Sequence, residues 1–269
     1  MSISISVLFR KFRRFYALNI ERLLFLNWFN PFMSLYVNFR LCSIKDALHL
    51  PIWVYGWPRL LSLYGNVKFP NGRKFGQVRL NRMWHVAGGP NNAGCSSEFN
   101  IWGTWIFEGS CSIGTDCKIC IGDNGILSVG NNCLIMTDCN ITAYKEVALG
   151  DNLLMAHSSQ ILDTSYHFVE NLDNGTVKSN TTPIRIGNNC WICNNVSIMG
   201  GVSIPDSVIV ASHSLVNKTL NGLLPDSLIG GIPANILSKR VRRIVDHKEE
   251  YSLGKYFMDN PEAAWFSKN

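Results

Sequence analysis

The stretch that decides the fold is IGNNCWICNNVSIMGGVSIPDSVIVASHSLVNK, residues 186–218. An aliphatic residue recurs at every sixth position of this stretch, namely Ile186, Ile192, Ile198, Ile204, Val210 and Val216. A period of six fits neither an amphipathic helix nor an alternating strand. It is typical of a β-solenoid, in which each hexad supplies one short strand and one corner, and three hexads close a triangular coil.

The same period occurs earlier in the chain. The further hexad positions are Ile101, Phe107, Ile113 and Ile119, then Val129, Ile135, Ile141 and Val147, and then Leu149, Met155 and Ile161. Glycine often follows the aliphatic residue, as at Gly114, Gly130, Gly150 and Gly187. We expect a corner at each of these glycines, because a corner needs a permissive backbone. Chance clustering in an ordinary β-domain is the alternative, and consecutive hits at a fixed spacing argue against it.

The chain contains nine cysteines, an odd number that does not suit a secreted disulfide framework. Two Cys-x-x-Cys pairs, at 117–120 and 190–193, suggest a zinc ribbon as one reading. The hexad register favours another, since five cysteines fall four positions after a hexad aliphatic: Cys111, Cys117, Cys133, Cys139 and Cys190. Serine or valine occupies the same position in other hexads. We therefore predict buried structural thiols in a reducing compartment, and no metal.

With this period established, the sequence resembles the hexapeptide-repeat acyltransferases over roughly residues 95–238. The residues that carry the resemblance are the stretch 186–218, GGIPANIL at 230–237 and DTSYH at 163–167. GTWIFEG (103–109) and KDALHLPIWVYG (45–56) are similar to the subgroup that O-acetylates bacterial surface polysaccharides. The resemblance implies an all-β solenoid wound as a left-handed parallel β-helix, acetyl-CoA as co-substrate, a sugar or glycan acceptor, and a homotrimer with active sites between subunits.

His167 is the predicted catalytic base. The repeat breaks between Ile161 and Ile186, where 25 residues stand in place of six, so a polar loop leaves the coil over residues 163–185. Loops on rigid scaffolds often carry function, and histidine suits the removal of a proton from an attacking sugar hydroxyl. The resemblance places the base on this residue. Asp163 matches the first aspartate of the family pattern, and we expect it to orient His167, its alternative role being that of a turn former.

Four further positions match coenzyme-site residues of the family, namely Trp191, at the subunit boundary, Asn194, Ser212 and Lys218. Arg240 is a fifth candidate, as a substitute for a cation that the family has at another position. Asn235 stands where the family usually has a cation, and the basic residues at 239–243 follow at once. Such cations suit the 3′-phosphate of CoA. The alternative is that this basic run forms the solvated face of a C-terminal helix.

The formal charge of +6 is confined to one end of the chain. Residues 1–60 hold eight Lys/Arg and two acidic residues, whereas residues 61–269 hold 17 of each sign, which argues against nucleic-acid binding. The charge-free run Leu23–Phe39 has 17 residues interrupted by polar side chains and proline, so we do not predict a membrane span. We expect residues 1–40 either to lie on a membrane surface or to cap the open end of the solenoid.

We therefore predict a basic, helical N-terminal extension (1–60), a β-helix domain (61–236), and a C-terminal helix and tail (237–269). No signal peptide is evident, and the expected location is cytoplasmic, with possible contact at the inner face of the membrane. The predicted function is sugar O-acetylation. N-acylation of an amino sugar nucleotide and a non-catalytic binding solenoid are the alternatives, while a zinc carbonic anhydrase on this scaffold lacks its third histidine.

Overall fold

The computed structural model describes residues 28–83 and 96–267. In this part of the chain nearly all strands belong to three sheets of nine, seven and six strands, whose neighbours pair in parallel apart from one terminal hairpin. Consecutive strands fall in successive sheets, so the chain winds around a triangular axis. The predicted parallel β-helix of hexapeptide repeats is thus confirmed.

We number the sheets in the order in which the chain enters them. Sheet 1 holds β1 (Ile52–Val54), β4 (Val78–Leu80), β7 (Cys111–Ile113), β10 (Cys133–Ile135), β13 (Leu154–Met155), β18 (Trp191–Ile192), β21 (Ile209–Val210), β23 (Ser227–Gly231) and β24 (Ala234–Lys239). Sheet 2 holds β2 (Arg59–Leu63), β5 (Glu98–Ile101), β8 (Lys118–Ile121), β11 (Asn140–Ala143), β14 (Gln160–Leu162), β19 (Ser197–Met199) and β22 (Leu215–Val216). Sheet 3 holds β3 (Asn66–Lys68), β6 (Thr104–Phe107), β9 (Ile126–Val129), β12 (Glu146–Leu149), β17 (Ile184–Ile186) and β20 (Ser203–Ile204).

The hexad aliphatics form the core. On sheet 1, Ile113, Ile135, Met155, Ile192 and Val210 lie in register from coil to coil. Every hexad position predicted from the sequence is buried, with at most 4% of its surface exposed. Burial of one such side chain stabilises the fold by roughly 1.5–3 kcal/mol, so the stack of aliphatic residues is the main source of stability.

The corners use their glycines differently from our expectation. The left-handed backbone falls on a polar residue two positions later, as at Asn132 (φ 56°), Asn152 (φ 55°) and Asn189 (φ 58°). The glycines serve close packing between coils instead. A Cβ at Gly130 would lie 2.5 Å from the carbonyl carbon of Gly150, and one at Gly150 would lie 2.6 Å from that of Gly187. The corners are where the glycines predicted them, but glycine is needed there because the backbones of adjacent coils approach closely, not because of a left-handed conformation.

The five cysteines of the hexad register are buried, as predicted. The structure adds a second reason for their choice, because the thiols reach a carbonyl of the next coil. Cys117 Sγ lies 3.0 Å from the oxygen of Met136, and Cys139 Sγ lies 3.1 Å from that of Ala156. Ser159 Oγ donates to the oxygen of Cys193 in the same manner at 2.7 Å. The position therefore favours a small side chain with a donor.

The three corners of the coil differ in length. From Phe107 onward, six residues separate the core positions across the corner from sheet 3 to sheet 1 and across that from sheet 1 to sheet 2, as from Val129 to Ile135 and on to Ile141. The first passages through these two corners, between β3 and β4 and between β4 and β5, are longer. From sheet 2 to sheet 3 the spacing grows to ten between Ile119 and Val129 and to eight between Ile141 and Leu149. We call this third corner, residues 64–65, 102–103, 122–125, 144–145, 163–183 and 200–202, the variable corner.

A short helix closes the N-terminal end of the coils. Helix α1 (Pro31–Leu41) is followed by the single turn α2 (Ile44–Ala47). The amide of Asn38 donates to the oxygen of Ile52 at 2.6 Å and accepts from its backbone N–H at 3.1 Å. Ser34 Oγ accepts from the backbone N–H of Val54 at 2.9 Å. These side chains pair with the free edge of β1, so α1 is a cap of the kind that a solenoid requires.

The structure moves two predicted boundaries. Strand β1 lies before residue 60 and β2 (Arg59–Leu63) crosses it, so the coils begin inside the segment predicted as an extension. At the other end, β24 continues to Lys239, and helix α3 spans His247–Asp259. The basic run 239–243 therefore ends a strand and lines a turn, and its assignment to the face of a C-terminal helix is wrong. None of the helices in residues 28–83 and 96–267 has the length and apolar character needed to cross a membrane.

Candidate active site at the variable corner

The predicted loop excursion leaves the coil after β14 and returns at β17. Its neck is tied by backbone hydrogen bonds, from Thr182 N–H to the oxygen of Asp163 at 2.8 Å and from Ser165 N–H to that of Asn180 at 2.9 Å. Beyond the neck, β15 (Val169–Asn171) and β16 (Thr176–Lys178) pair as an antiparallel ribbon. The loop is thus an ordered projection from the variable corner.

His167 lies at the base of this ribbon, facing an open cavity of about 250 Å³. Its backbone N–H donates to the oxygen of Ser165 at 2.7 Å, and Ser165 Oγ donates to the oxygen of His167 at 3.0 Å. These two hydrogen bonds between Ser165 and His167 hold the backbone of the histidine in place. The cavity is lined by Asp163, Thr164, Ser165, His167, Val169, Lys178, Ser179, Asn180, Thr182, Met199 and Gly200. It combines an exposed imidazole with hydroxyl, amide and ammonium groups.

Asp163 lines the same cavity, but its carboxylate is engaged elsewhere. The side chain is buried (1% of the residue exposed) and accepts hydrogen bonds from the backbone N–H groups of Tyr144, Lys145 and Glu146 at 2.7–2.9 Å. The carboxylate therefore contacts the turn of the preceding coil, whereas the sequence led us to expect contact with the imidazole of His167. These contacts lie 17–19 residues earlier in the chain, so the carboxylate does not form a turn of its own segment.

Two tyrosines that the sequence did not single out stand beside the cavity. Tyr166 adopts a left-handed backbone (φ 61°), and its hydroxyl lies 3.2 Å from Oγ1 of Thr142. Its ring packs edge-on against that of Tyr144, with 5.8 Å between the centroids. Burial, followed by nearby Cys120, raises the pKa of Tyr144 above its ordinary value, so the phenol stays neutral. The unequal spacing of the hexads was the signal that pointed to this corner.

The five coenzyme candidates lie in separate places on the single chain. Asn194 and Ser212 are exposed on adjacent coils at the corner between sheets 1 and 2. Lys218 is exposed after β22, next to Thr219, whose hydroxyl donates at 3.1 Å to the oxygen of Gly201 at the variable corner. Trp191 projects outward from sheet 1, and Arg240 follows β24 with a left-handed backbone. Of the five, Lys218 alone follows a strand of sheet 2, as the loop with His167 does.

Two other features of the described residues do not form a competing centre. No group of three or more potential metal ligands occurs among them. A larger cleft of about 690 Å³ lies between sheets 3 and 1, beside Lys74, Phe75 and Arg79, and the residues that line it include no histidine. The cavity at His167 therefore remains the best candidate for acid–base chemistry.

Comparison with known proteins gives related sequences. No family model matches the chain. It is 31% identical over 135 residues to the galactoside O-acetyltransferase of Escherichia coli (strain K12), covering 50% of this chain and 62% of that protein. It is 31% identical over 176 residues to an uncharacterized 24.8 kDa protein of the cps region of Klebsiella pneumoniae, covering 65% and 74%. The crystal structure of the polySia-specific acetyltransferase NeuO matches with 17% identity and a TM-score of 0.46, covering 79% and 89%.

The chain spans only part of several curated relatives, 38% and 62% of the length of two of them. The likeness to the Klebsiella pneumoniae protein nevertheless covers about three quarters of that protein at 31% identity. That protein is uncharacterized, so the resemblance seen in the sequence is supported by the galactoside O-acetyltransferase relative, together with the hexad register and the three parallel sheets. The chain belongs to the hexapeptide-repeat acyltransferase family, whose fold is the left-handed parallel β-helix.

Proposed function

We propose that the protein transfers an acetyl group from acetyl-CoA to a hydroxyl of a sugar, with His167 as the general base. The observation that carries this proposal is the placement of His167 in an open cavity at the root of the ordered loop. The galactoside O-acetyltransferase relative supports the choice of a sugar acceptor. A bacterial surface polysaccharide or its precursor is the acceptor class that we propose.

The proposed reaction is a direct attack within a ternary complex. The imidazole of His167 takes the proton of the acceptor hydroxyl as its oxygen attacks the thioester carbonyl carbon. The carbon–sulfur bond then breaks, and the proton passes to the leaving thiolate of CoA, so that the ester and free CoA result. A histidine suits both proton transfers, because its unperturbed pKa lies near neutral pH.

Asp163 is proposed as a positioning residue. Its carboxylate holds the turn at 144–146 from the preceding coil, and its backbone oxygen holds Thr182 at the neck of the loop. One buried residue thereby joins the loop that carries His167 to the coil below it. Loss of the carboxylate is expected to misplace the imidazole rather than to remove a reacting group.

The His167→Ala variant tests the proposal. Without the base, transfer of labelled acetyl from acetyl-CoA to a galactoside or a de-O-acetylated polysaccharide should fall at least a hundredfold. His49→Ala is the matched control, since His49 is exposed and lies beyond α2 at the N-terminal end of the chain. Retention of full activity by His167→Ala, or equal loss in both variants, would refute the role of His167. An amino sugar nucleotide, offered in parallel, tests N-acylation.

A homotrimer with sites between subunits is part of the same proposal. Asn194 and Ser212 lie at one corner of the chain and His167 at another, so a second copy is the natural means of bringing coenzyme residues of one chain to the base of the next. Trp191, Lys218 and Arg240 are proposed to complete the coenzyme site in that assembly. Sedimentation velocity gives the test, with a species of three chains as the expected result.

We also propose a peripheral membrane contact through α1. Its outer face exposes Phe32, Leu35, Tyr36 and Phe39, which share one side of the helix, and Arg40 follows them. Exposed apolar side chains beside a cation suit the boundary of an anionic bilayer. Residues 1–27 of the predicted membrane segment lie outside the described residues. In a flotation assay with anionic vesicles, Phe32→Ser/Phe39→Ser should float less than the wild type, and equal flotation would contradict the contact.

A further inference from the structure

The variable corner presents a row of aromatic side chains that ends at the candidate active site. The residues that follow the strands of sheet 2 on four coils include Tyr64, Trp102 and Tyr144, and Tyr166 stands one coil further, immediately before His167. Their exposed fractions are 65%, 43%, 42% and 52%. We call these four residues the aromatic strip. At about 4.8 Å per coil, the strip extends roughly 19 Å along the solenoid axis.

The rings are fixed in place and are not loose surface groups. Tyr64 and Trp102 lie 4.7 Å apart between centroids, and the guanidinium of Arg40 sits 5.3 Å from the centre of Tyr64. The indole N–H of Trp102 donates to Oδ1 of Asn100 at 2.9 Å. At the other end, Tyr144 and Tyr166 pack edge to face. Fixed rings lose little conformational entropy when a ligand stacks on them.

A break in the strip forms a cavity. Between Trp102 and Tyr144, the equivalent position on the intervening coil is Gly122, and a Cβ there would come within 3.0 Å of the ring of Tyr144. The space left by the glycine is a cavity of about 400 Å³, lined also by Asn100, Asp123 and Asn124. Aromatic walls with a few amide and carboxylate groups match a sugar ring, whose C–H faces are apolar and whose edge carries hydroxyls.

From Phe107 onward, the extra residues of the repeat accumulate at this same corner, while the two regular corners keep the six-residue spacing. Insertions in a solenoid often map to its binding face. The four coils that contain β2, β5, β8 and β11 thereby build an elongated surface that leads directly to His167. We propose that the aromatic strip binds a glycan chain of several sugar rings and delivers one of its hydroxyls to His167. This inference rests on the proposed function and narrows its acceptor to a polymer rather than a free monosaccharide.

The test measures glycan binding without acetyl-CoA. The probe is a printed array of mono-, tri- and hexasaccharides of glucose, galactose, N-acetylglucosamine and sialic acid. We expect at least one hexasaccharide to bind about tenfold more tightly than its monosaccharide, and Trp102→Ala or Tyr144→Ala each to reduce that affinity roughly three- to tenfold. Tyr144→Phe keeps the ring and should retain binding. Thermal melting establishes that each variant is folded.

Matched controls are available at the other end of the chain. Trp265 and Tyr251 are exposed by 88% and 76%, so Trp265→Ala and Tyr251→Ala remove similar rings away from the strip. No preference for longer glycans in any series, or equal losses in strip and control variants, would overturn the proposal. Dissociation of the oligomer by Trp102→Ala and Tyr144→Ala would also overturn it, by identifying the strip as a subunit interface.

The proposed catalytic role of His167 and the proposed glycan binding by the aromatic strip are refuted by different results. If His167→Ala retains transfer while the strip variants lose long-glycan binding, the catalytic role is wrong and the strip stands. If His167→Ala abolishes transfer while the strip variants bind like the wild type, the strip proposal alone is wrong.

Discussion

The corner between sheets 3 and 1 and the variable corner solve the same geometric task in different ways. At the former, each coil repeats the contacts of the last one. The amide of Asn132 donates to Asn152, and that of Asn152 donates to Asn189, both at 2.9 Å. Backbone N–H groups are likewise capped in series, from Asn131 to Asp151 and from Asp151 to Asn188. The result is a ladder of equivalent hydrogen bonds that is repeated from coil to coil.

At the variable corner the core spacing changes from coil to coil, being ten between Ile119 and Val129 and eight between Ile141 and Leu149, and the contacts are individual. Asp163 caps three N–H groups of the turn at 144–146. Gly122 leaves a cavity, and Tyr144 and Tyr166 fill space beside it. The difference teaches that the two regular corners carry the register of the solenoid. The third corner is thereby free to accept insertions and to carry the candidate site.

The largest expected effect on stability comes from Asp163. The Asp163→Ala variant leaves three N–H groups of the partly exposed turn at 144–146 without their buried acceptor, which should lower the free energy of unfolding by roughly 3–5 kcal/mol. Asp206→Ala, at a regular corner, removes one such acceptor, from Asn188 N–H, and should cost about 1 kcal/mol. Urea denaturation followed by circular dichroism compares the two. Equal losses would show that the variable corner is no more dependent on its contacts than the ladder.

Insertions give the next largest effect and the most direct contrast. Two residues added between Asn131 and Asn132 interrupt hydrogen bonds to Asp151, Asn152 and Ser110, and should cost about 3 kcal/mol. The same insertion between Asp123 and Asn124 lengthens an exposed turn, which should cost less than about 1 kcal/mol. Thermal melting measures both variants. Similar melting temperatures for the two insertions would contradict the division into regular and variable corners.

The smallest expected effect concerns the thiols at the regular corners. Burial is the main cause that raises the pKa of Cys133 to about 12, from an ordinary 9.0. An unfolded thiol loses its proton first as the pH rises, so the raised pKa favours the fold below pH 9 and its contribution is lost progressively from pH 9 towards pH 12. The loss is roughly 1.4 kcal/mol per pH unit in that window.

Cys133→Ser removes this thiol and keeps a small donor, as Ser159 does at the same position of another coil. The variant should therefore match the wild type at pH 7 and lose less stability between pH 9 and 10. Melting temperatures at the two pH values provide the measurement. An alkaline loss equal to that of the wild type would exclude the thiol as its source.

The residues of the core could be predicted from the sequence because their spacing is local. Each hexad aliphatic is buried wherever the chain turns after six residues, so Ile113, Ile135 and their equivalents reveal both the fold and the place of the loop that carries His167. The same register explains the cysteines as buried thiols. The histidine could be singled out because it stands where that register is broken.

The rest depends on which outward residues become neighbours, and that depends on the summed lengths of the corners. Tyr64 and Tyr166 are 102 positions apart in the chain, yet they belong to one strip because the strands of sheet 2 that precede them stack coil on coil. The partner of Asp163, a turn 17–19 residues earlier, follows from the same stacking. The sequence by itself determined the repeat and the candidate base. Only the tertiary structure decided the contacts between coils, because they join residues whose separation has no fixed period.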